Sequence, residues 1–131
     1  MKEVILIVDD SPVNLKLAKV LLMTEGYDVH TAIDADDALQ VLTSLQPDII
    51  LMDLQLPGMD GLQLTRKIKM DPKYRDIIIL AVTAYAMKGD DQKAYASGCD
   101  GYITKPIDVN TLPGIIAEYL MKKNRHSGLQ E

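Results

Sequence analysis

Five short apolar runs punctuate this chain, each closed by polar or turn-forming residues and separated from the next by a longer amphipathic stretch. They cover residues 4–8, 29–33, 49–52, 77–82 and 102–104. Four are nearly continuous, the pattern of parallel strands covered on both faces; the second is less pure. The stretches between them carry helical periodicity. Ser11 suits an N-cap with Pro12 at the first helical position, and Leu15, Ala18 and Leu22 share a face opposite Lys16 and Lys19. Asp34 can cap a second helix that places Ala38, Val41, Leu42 and Leu45 on one side, with Pro47 past its end. Asp60 or Gly61 opens a third, with Leu64 and Ile68 inward. A fourth, over residues 87–97 and stopped by Gly98, offers little beyond Ala94, Tyr95 and Ala96 for burial and should be loosely held. The last carries the stripe Leu112, Ile115, Ile116, Tyr119 and Leu120. Proline beyond a first turn loses a hydrogen bond and clashes with an earlier carbonyl, so Pro113 predicts a start with Asn110 or Thr111 as N-cap.

Five strand-helix repeats joined by right-handed crossovers predict an α/β fold, a doubly wound five-stranded parallel sheet with helices on both faces. A chain of 131 residues buries roughly 65–70% of its unfolded surface, enough for a core without disulfides or structural metal. The single cysteine, Cys99, has no partner for a disulfide or a paired-thiol site and reads as a small packed residue. A reducing compartment, the cytoplasm, is expected. Fourteen basic residues against nineteen acidic ones give a net charge of -5, which disfavours nucleic acid and anionic membrane as partners. No apolar run approaches the roughly 20 residues of a membrane span. The first run is too short for a signal-peptide core and ends in an acidic pair.

In an open α/β sheet, ligands bind outside the carboxyl ends of the strands. The first strand ends in Asp9-Asp10, the third in Asp53, the fourth in Thr83-Ala84 and the fifth in Lys105-Pro106. Three carboxylates brought together repel one another unless a divalent cation or the lysine compensates. Magnesium suits such an oxygen-only site and leaves coordination positions for phosphate. With no histidine or serine constellation in view, the available nucleophile is a carboxylate, which can form an aspartyl-phosphate. Transfer of a phosphoryl group needs chiefly positioning and charge neutralisation, and Mg2+, Lys105 and the Thr83 hydroxyl could supply both around Asp53.

These residues fall within four longer motifs: Ile7-Val8-Asp9-Asp10-Ser11-Pro12-Val13-Asn14, Asp48-Ile49-Ile50-Leu51-Met52-Asp53-Leu54-Gln55-Leu56-Pro57-Gly58-Met59-Asp60-Gly61, Ala81-Val82-Thr83-Ala84, and Gly98-Cys99-Asp100-Gly101-Tyr102-Ile103-Thr104-Lys105-Pro106. In this order, across nearly the whole chain, the sequence resembles the receiver (response regulator) domain of two-component and phosphorelay signalling. The resemblance implies a flavodoxin-like strand order 2-1-3-4-5 and a receiver domain over residues 1–123, followed by a polar tail at 124–131. It implies that Asp53 accepts a phosphoryl group from a phosphohistidine and that Asp10 binds Mg2+ directly. Asp9 would act close by or through water, and the Gln55 carbonyl would complete the protein ligands together with Asp53. Lys105 would pair with phosphoryl oxygens, with a cis peptide before Pro106, and Thr83 and Tyr102 would form a switch pair. The resemblance also implies that the side chains of Gln55 and Tyr85 stand at the positions where this family sets phosphoryl lifetime. The implied partners are a histidine kinase, or a histidine phosphotransfer protein, and a downstream target reached through the fourth helix, fifth strand and fifth helix. The resemblance makes the chain a phosphoacceptor switch, a monomer or weak dimer, and not an enzyme beyond its own phosphorylation and dephosphorylation.

Two rivals fit less well. A haloacid-dehalogenase-type hydrolase needs a second acid two positions after the nucleophile, where Gln55 stands. A flavin carrier wants a phosphate-binding loop after the first strand and aromatics for the ring, but Asp9-Asp10 would repel phosphate, and Trp and Phe are both absent. His30 and His126 lack acids at ligand spacing and are expected at the surface. Lys122, Lys123 and Arg125 read as cations favoured near a helix C-terminus. Met87 and Met121 are assigned to packing.

Overall fold

The structure is a computed structural model and describes residues 2–84 and 90–130, with only the backbone at Asp90 and over residues 124–130. Ten elements alternate along it: β1 Val4–Val8, α1 Pro12–Thr24, β2 Asp28–Ala32, α2 Ala35–Leu42, β3 Ile49–Asp53, α3 Gly61–Met70, β4 Ile78–Thr83, α4 Asp90–Ala96, β5 Gly101–Thr104 and α5 Leu112–Gln130. All strand pairings are parallel and the order is β2-β1-β3-β4-β5. Strand runs and observed strands differ by about one residue at the ends, because a ladder closes on backbone pairing and not on hydrophobicity.

Alternation along each strand divides the core into two layers. Ile5, Ile7, Ile49, Leu51, Leu80 and Val82 pack with Leu15, Ala18 and Leu22 of α1 and Leu112, Ile116 and Leu120 of α5. Leu6, Val8, Ile50, Met52, Ile79 and Ala81 face Ala35, Ala38 and Leu42 of α2, Leu64 and Ile68 of α3, and Ala94 of α4. Each fully buried aliphatic side chain is worth about 1.5–3 kcal/mol relative to leaving it in water.

The expected caps are present. Ser11 Oγ accepts from Asn14 N–H at 3.3 Å, Asp34 Oδ1 from Asp37 N–H at 2.8 Å, and Asp60 Oδ1 from Gln63 N–H at 2.9 Å. At α5, the Thr111 carbonyl accepts from Ile115 N–H at 3.1 Å, which makes Thr111 the cap and places Pro113 in the first turn. α2 ends at Leu42, so Leu45 lies beyond it. α4 is described from Asp90; residues 87–89 of the expected helix, and with them Met87, lie outside the described residues, as does Tyr85. Of its expected apolar face only Ala94 is buried, while Tyr95 is 51% exposed.

Three readings are corrected. His30 does have an acid in reach, because Asp28 sits two positions along the same strand face and its Oδ1 lies 3.2 Å from Nε2. Lys122 and Lys123 are not near a helix end, since α5 continues to Gln130; they pair with Glu118 at 3.5 Å and Asp48 at 3.3 Å instead. Met121 is 59% exposed and packs little. The His126 and Arg125 side chains lie outside what is described.

Candidate functional site

Parallel strands carry their last residues to one edge of the sheet, and the loops leaving β1, β3 and β5 meet there. Asp9 and Asp53 are 4% and 2% exposed, whereas Asp10 is exposed. Carboxylate oxygens of Asp9, Asp10 and Asp53 lie within 4.8 Å of one another. The two buried acids are held by the turns that follow them. Ser11 N–H donates to Asp9 Oδ1 at 2.8 Å, and Gln55 N–H to Asp53 Oδ1 at 3.0 Å. Each carboxylate thus accepts an N–H two residues on, an Asx turn that aims its other oxygen away from the turn.

That second oxygen meets Lys105. Its Nζ lies 3.3 Å from Asp9 Oδ2 and 3.2 Å from Asp53 Oδ2. Lys105 is delivered by the turn after β5, where its N–H donates to the Thr83 carbonyl at 2.7 Å and its peptide to Pro106 is cis. Burial pushes the Asp53 carboxyl above its ordinary 3.8, and Asp9 adds to this, against the Gln55 N–H and the Lys105 ammonium. Burial acts to lower the Lys105 pKa, but Asp53 and Asp9 together outweigh it and hold the ammonium above its ordinary 10.5. The lysine therefore stays charged while the acid beside it is costly to ionise.

Three carboxylates against one ammonium leave the pocket negative. The donor set is oxygen only and open on the Asp10 side, which fits a hard divalent cation that retains several waters. Thr83 closes β4, 2% exposed, directly after Val82, the register partner of Asp53. Tyr102 is half-buried and packs on the layer formed with α2, α3 and α4. The Gln55 side chain is exposed at the loop mouth. Asp9, Asp10, Asp53 and Lys105 are thus brought into one cluster, with Thr83 on the neighbouring strand and Tyr102 further from the edge.

One contributor, Gly61, was named from sequence only as the start of a helix. At the opposite, amino end of β5, away from the acids, Asp100 Oδ2 accepts from Lys69 Nζ and from Ile79 N–H, each at 2.9 Å, while Lys69 also caps the carbonyls of Arg75 and Ile77. Asp100 stood within a quoted motif, but its partner is 31 residues away and carries no sequence signal.

A doubly wound parallel sheet with buried acids and one lysine at the carboxyl ends of β1, β3 and β5 defines a class of acidic-pocket α/β domains suited to phosphoryl chemistry. Comparison with known proteins names the member of that class. The response regulator receiver domain family matches residues 5–117, and the chain belongs to that family. It is 40% identical over 120 residues to the polar-differentiation response regulator DivK of Brucella anthropi, covering 92% of this chain and 98% of that one. A CheY-like receiver domain protein from Methanospirillum hungatei superposes with a TM-score of 0.87 at 31% identity, over 96% of this chain and 99% of the other. The receiver domain of the sensor histidine kinase PA1611 from Pseudomonas aeruginosa, solved with a magnesium ion coordinated in its active-site cleft, gives 0.82 at 33% identity, over 91% and 98%.

Proposed function

We propose that the chain is a Mg2+-dependent phosphoacceptor in which Asp53 takes a phosphoryl group from a phosphohistidine donor and the ester biases a protein-docking surface. The observation that carries this reading is the Asp53 carboxylate, buried and pinned through one oxygen by Gln55 N–H, with its other oxygen beside Lys105 and the acids Asp9 and Asp10 in reach. Asp9, Asp10, Asp53 and the Gln55 carbonyl would hold Mg2+, which supplies charge neutralisation for the incoming phosphoryl oxygens. Asp53 Oδ2 forms the new bond to phosphorus as the bond to the donor nitrogen breaks. Lys105 then exchanges its carboxylate contact for a phosphoryl oxygen. Thr83 donates its hydroxyl to another, and Tyr102 moves with the α4–β5 layer; the small apolar face of α4 suits an element with two packings.

The donor would come in over α1. Its outward face carries Val13, Leu17 and Val20, 76%, 46% and 55% exposed, at helical spacing. Leu17 and Asn14 also line a groove of about 330 Å³ with Ala84, Pro106, Ile107 and Lys105, so the apolar face runs up to the pocket. A histidine kinase or phosphotransfer protein is the proposed donor, and a target protein reads the α4, β5 and α5 face. Among the described residues no helix is long and apolar enough to cross a membrane.

Incubation with acetyl phosphate and Mg2+ should add the mass of one phosphoryl group to the wild type and none to Asp53→Asn. Equal labelling of both, or labelling that ignores Mg2+, would sink the assignment.

A further inference from the structure

The two peptides that flank Leu54, directly after Asp53, are gripped by two elements. Leu54 N–H donates to the Val82 carbonyl of β4 at 3.0 Å, and the Leu54 carbonyl accepts from Gly61 N–H, the first residue of α3, at 3.2 Å. Gly61 approaches still closer through its Cα. A methyl group there would fall on the Asp53 carbonyl oxygen, 2.7 Å from Leu54 Cα and 3.0 Å from the Asp53 carbonyl carbon. All three obstacles are backbone atoms, which cannot swing aside as the tip of a side chain does. Among the described residues positive φ is found at Gly26, Gly58 and Gly98 and not at Gly61, so what position 61 requires is space and not an unusual backbone conformation. Asp60 fixes the start of the helix here by accepting Gln63 N–H.

We infer that Gly61 is a positioning residue for Asp53: its missing side chain lets the first turn of α3 close onto the Asp53–Leu54 peptide, and that closure sets where the carboxylate stands. The inference rests on Asp53 being the acceptor. Any side chain at 61 must push α3 away from β3 or tilt the peptide. Either response shifts the carboxylate against Gln55 N–H, Lys105, Asp9 and Asp10, and displacements near 1 Å cost on the order of 100-fold in positioned chemistry.

The test compares Gly61→Ala with Gly101→Ala. At Gly101 a methyl would collide with the Tyr119 hydroxyl and reach 2.8 Å from Leu80 Cδ2, a crowding by side-chain atoms at the amino end of β5, away from the acids. Both variants should lose stability in urea. Titration calorimetry of the unphosphorylated proteins with Mg2+ should show affinity falling about tenfold or more in Gly61→Ala and staying within about twofold of wild type in Gly101→Ala. Wild-type affinity in Gly61→Ala, or equal losses in the two variants, overturns the inference. Should Gly61→Ala fail to fold, hydrogen exchange on the wild type decides: the amides of Gly61 and Gln55 should open together, and separate opening energies would refute the clamp. A wild type that binds no Mg2+ refutes the acceptor reading itself, and the exchange measurement, which needs no metal, still decides the clamp.

Discussion

At Asp53 a single residue carries two opposed demands, since a carboxylate buried enough to be screened from water is destabilised in its charged form. Its folded pKa is raised above the ordinary 3.8, chiefly by burial. A raised folded value means a contribution that is favourable below pH 3.8 and lost as pH rises through the folded pKa, so ionised Asp53 costs stability at neutral pH. Asp53→Asn should therefore raise the free energy of unfolding in urea at pH 7, by about 0.5–2 kcal/mol, a magnitude usual where function has been kept at the expense of stability. The gap should close as pH falls toward 3.8; a destabilised Asn variant would contradict this. Asp10 carries the opposite expectation. It is exposed and accessible to solvent, so Asp10→Ala should weaken Mg2+ binding while leaving the free energy of unfolding within about 0.5 kcal/mol of wild type. The acids and Lys105 were legible in the sequence because strand ends converge in this fold class and their side chains announce their chemistry. Gly61 was not, since its role is the absence of atoms at a packing contact that only coordinates reveal.

Among the elements, α1 and the α3–β5 connection show what patterning does and does not convey. The inward stripe Leu15, Ala18 and Leu22 was readable, and all three are buried. The outward residues Val13, Leu17 and Val20 are apolar as well, so the helix has two apolar faces and only one of them meets the core. Leu17→Glu combined with Val20→Glu should slow phosphorylation by a protein donor about tenfold or more while leaving labelling by acetyl phosphate unchanged. Loss of both rates would place these residues in the fold rather than in docking. Across the other layer, Lys69 reaches Arg75 and Ile77 carbonyls and the Asp100 carboxylate, and its stem passes within 2.9 Å of where a Cβ on Gly98 would stand. Lys69→Met keeps the stem but removes the donor shared by three acceptors, of which the Asp100 carboxylate keeps the Ile79 N–H and the Ile77 carbonyl is the one partly shielded from water, so it should cost about 1–2 kcal/mol in urea unfolding; a change below about 0.5 kcal/mol would show the network to be ornamental. Periodicity could not expose this knot, because its partners lie in separate segments and bond through main-chain carbonyls and one carboxylate.

For the whole molecule, layer order followed from alternating runs and helical stripes, and every expected strand and helix has its described counterpart. Element ends were less legible: α2 stops before Leu45, and α5 extends through Gln130. The first depends on how a turn packs and the second on residues with no apolar stripe to mark them. Global stability also carries a pH signature. Burial raises the Cys99 thiol above 9.0 and the Tyr27 and Tyr119 phenols above 10.0, while Asp53 and Asp9, overcoming burial, raise Lys105 above 10.5. In all four the fold holds its proton more tightly than the unfolded chain does. Their contributions are present below those ordinary values and are lost as pH rises through the folded ones. The urea midpoint should fall steadily above pH 9.0, and Cys99→Ala should remove the earliest part of that fall; a flat alkaline profile would contradict it. The central claim, that one buried carboxylate is esterified, is tested most directly by reducing the acetyl-phosphate-treated protein with borohydride, which converts an aspartyl-phosphate to homoserine, and sequencing its peptides by mass spectrometry. Homoserine at position 53 alone is the expected result. Homoserine at position 9 or 10 instead, or none anywhere despite a stable phosphoryl adduct, would contradict it.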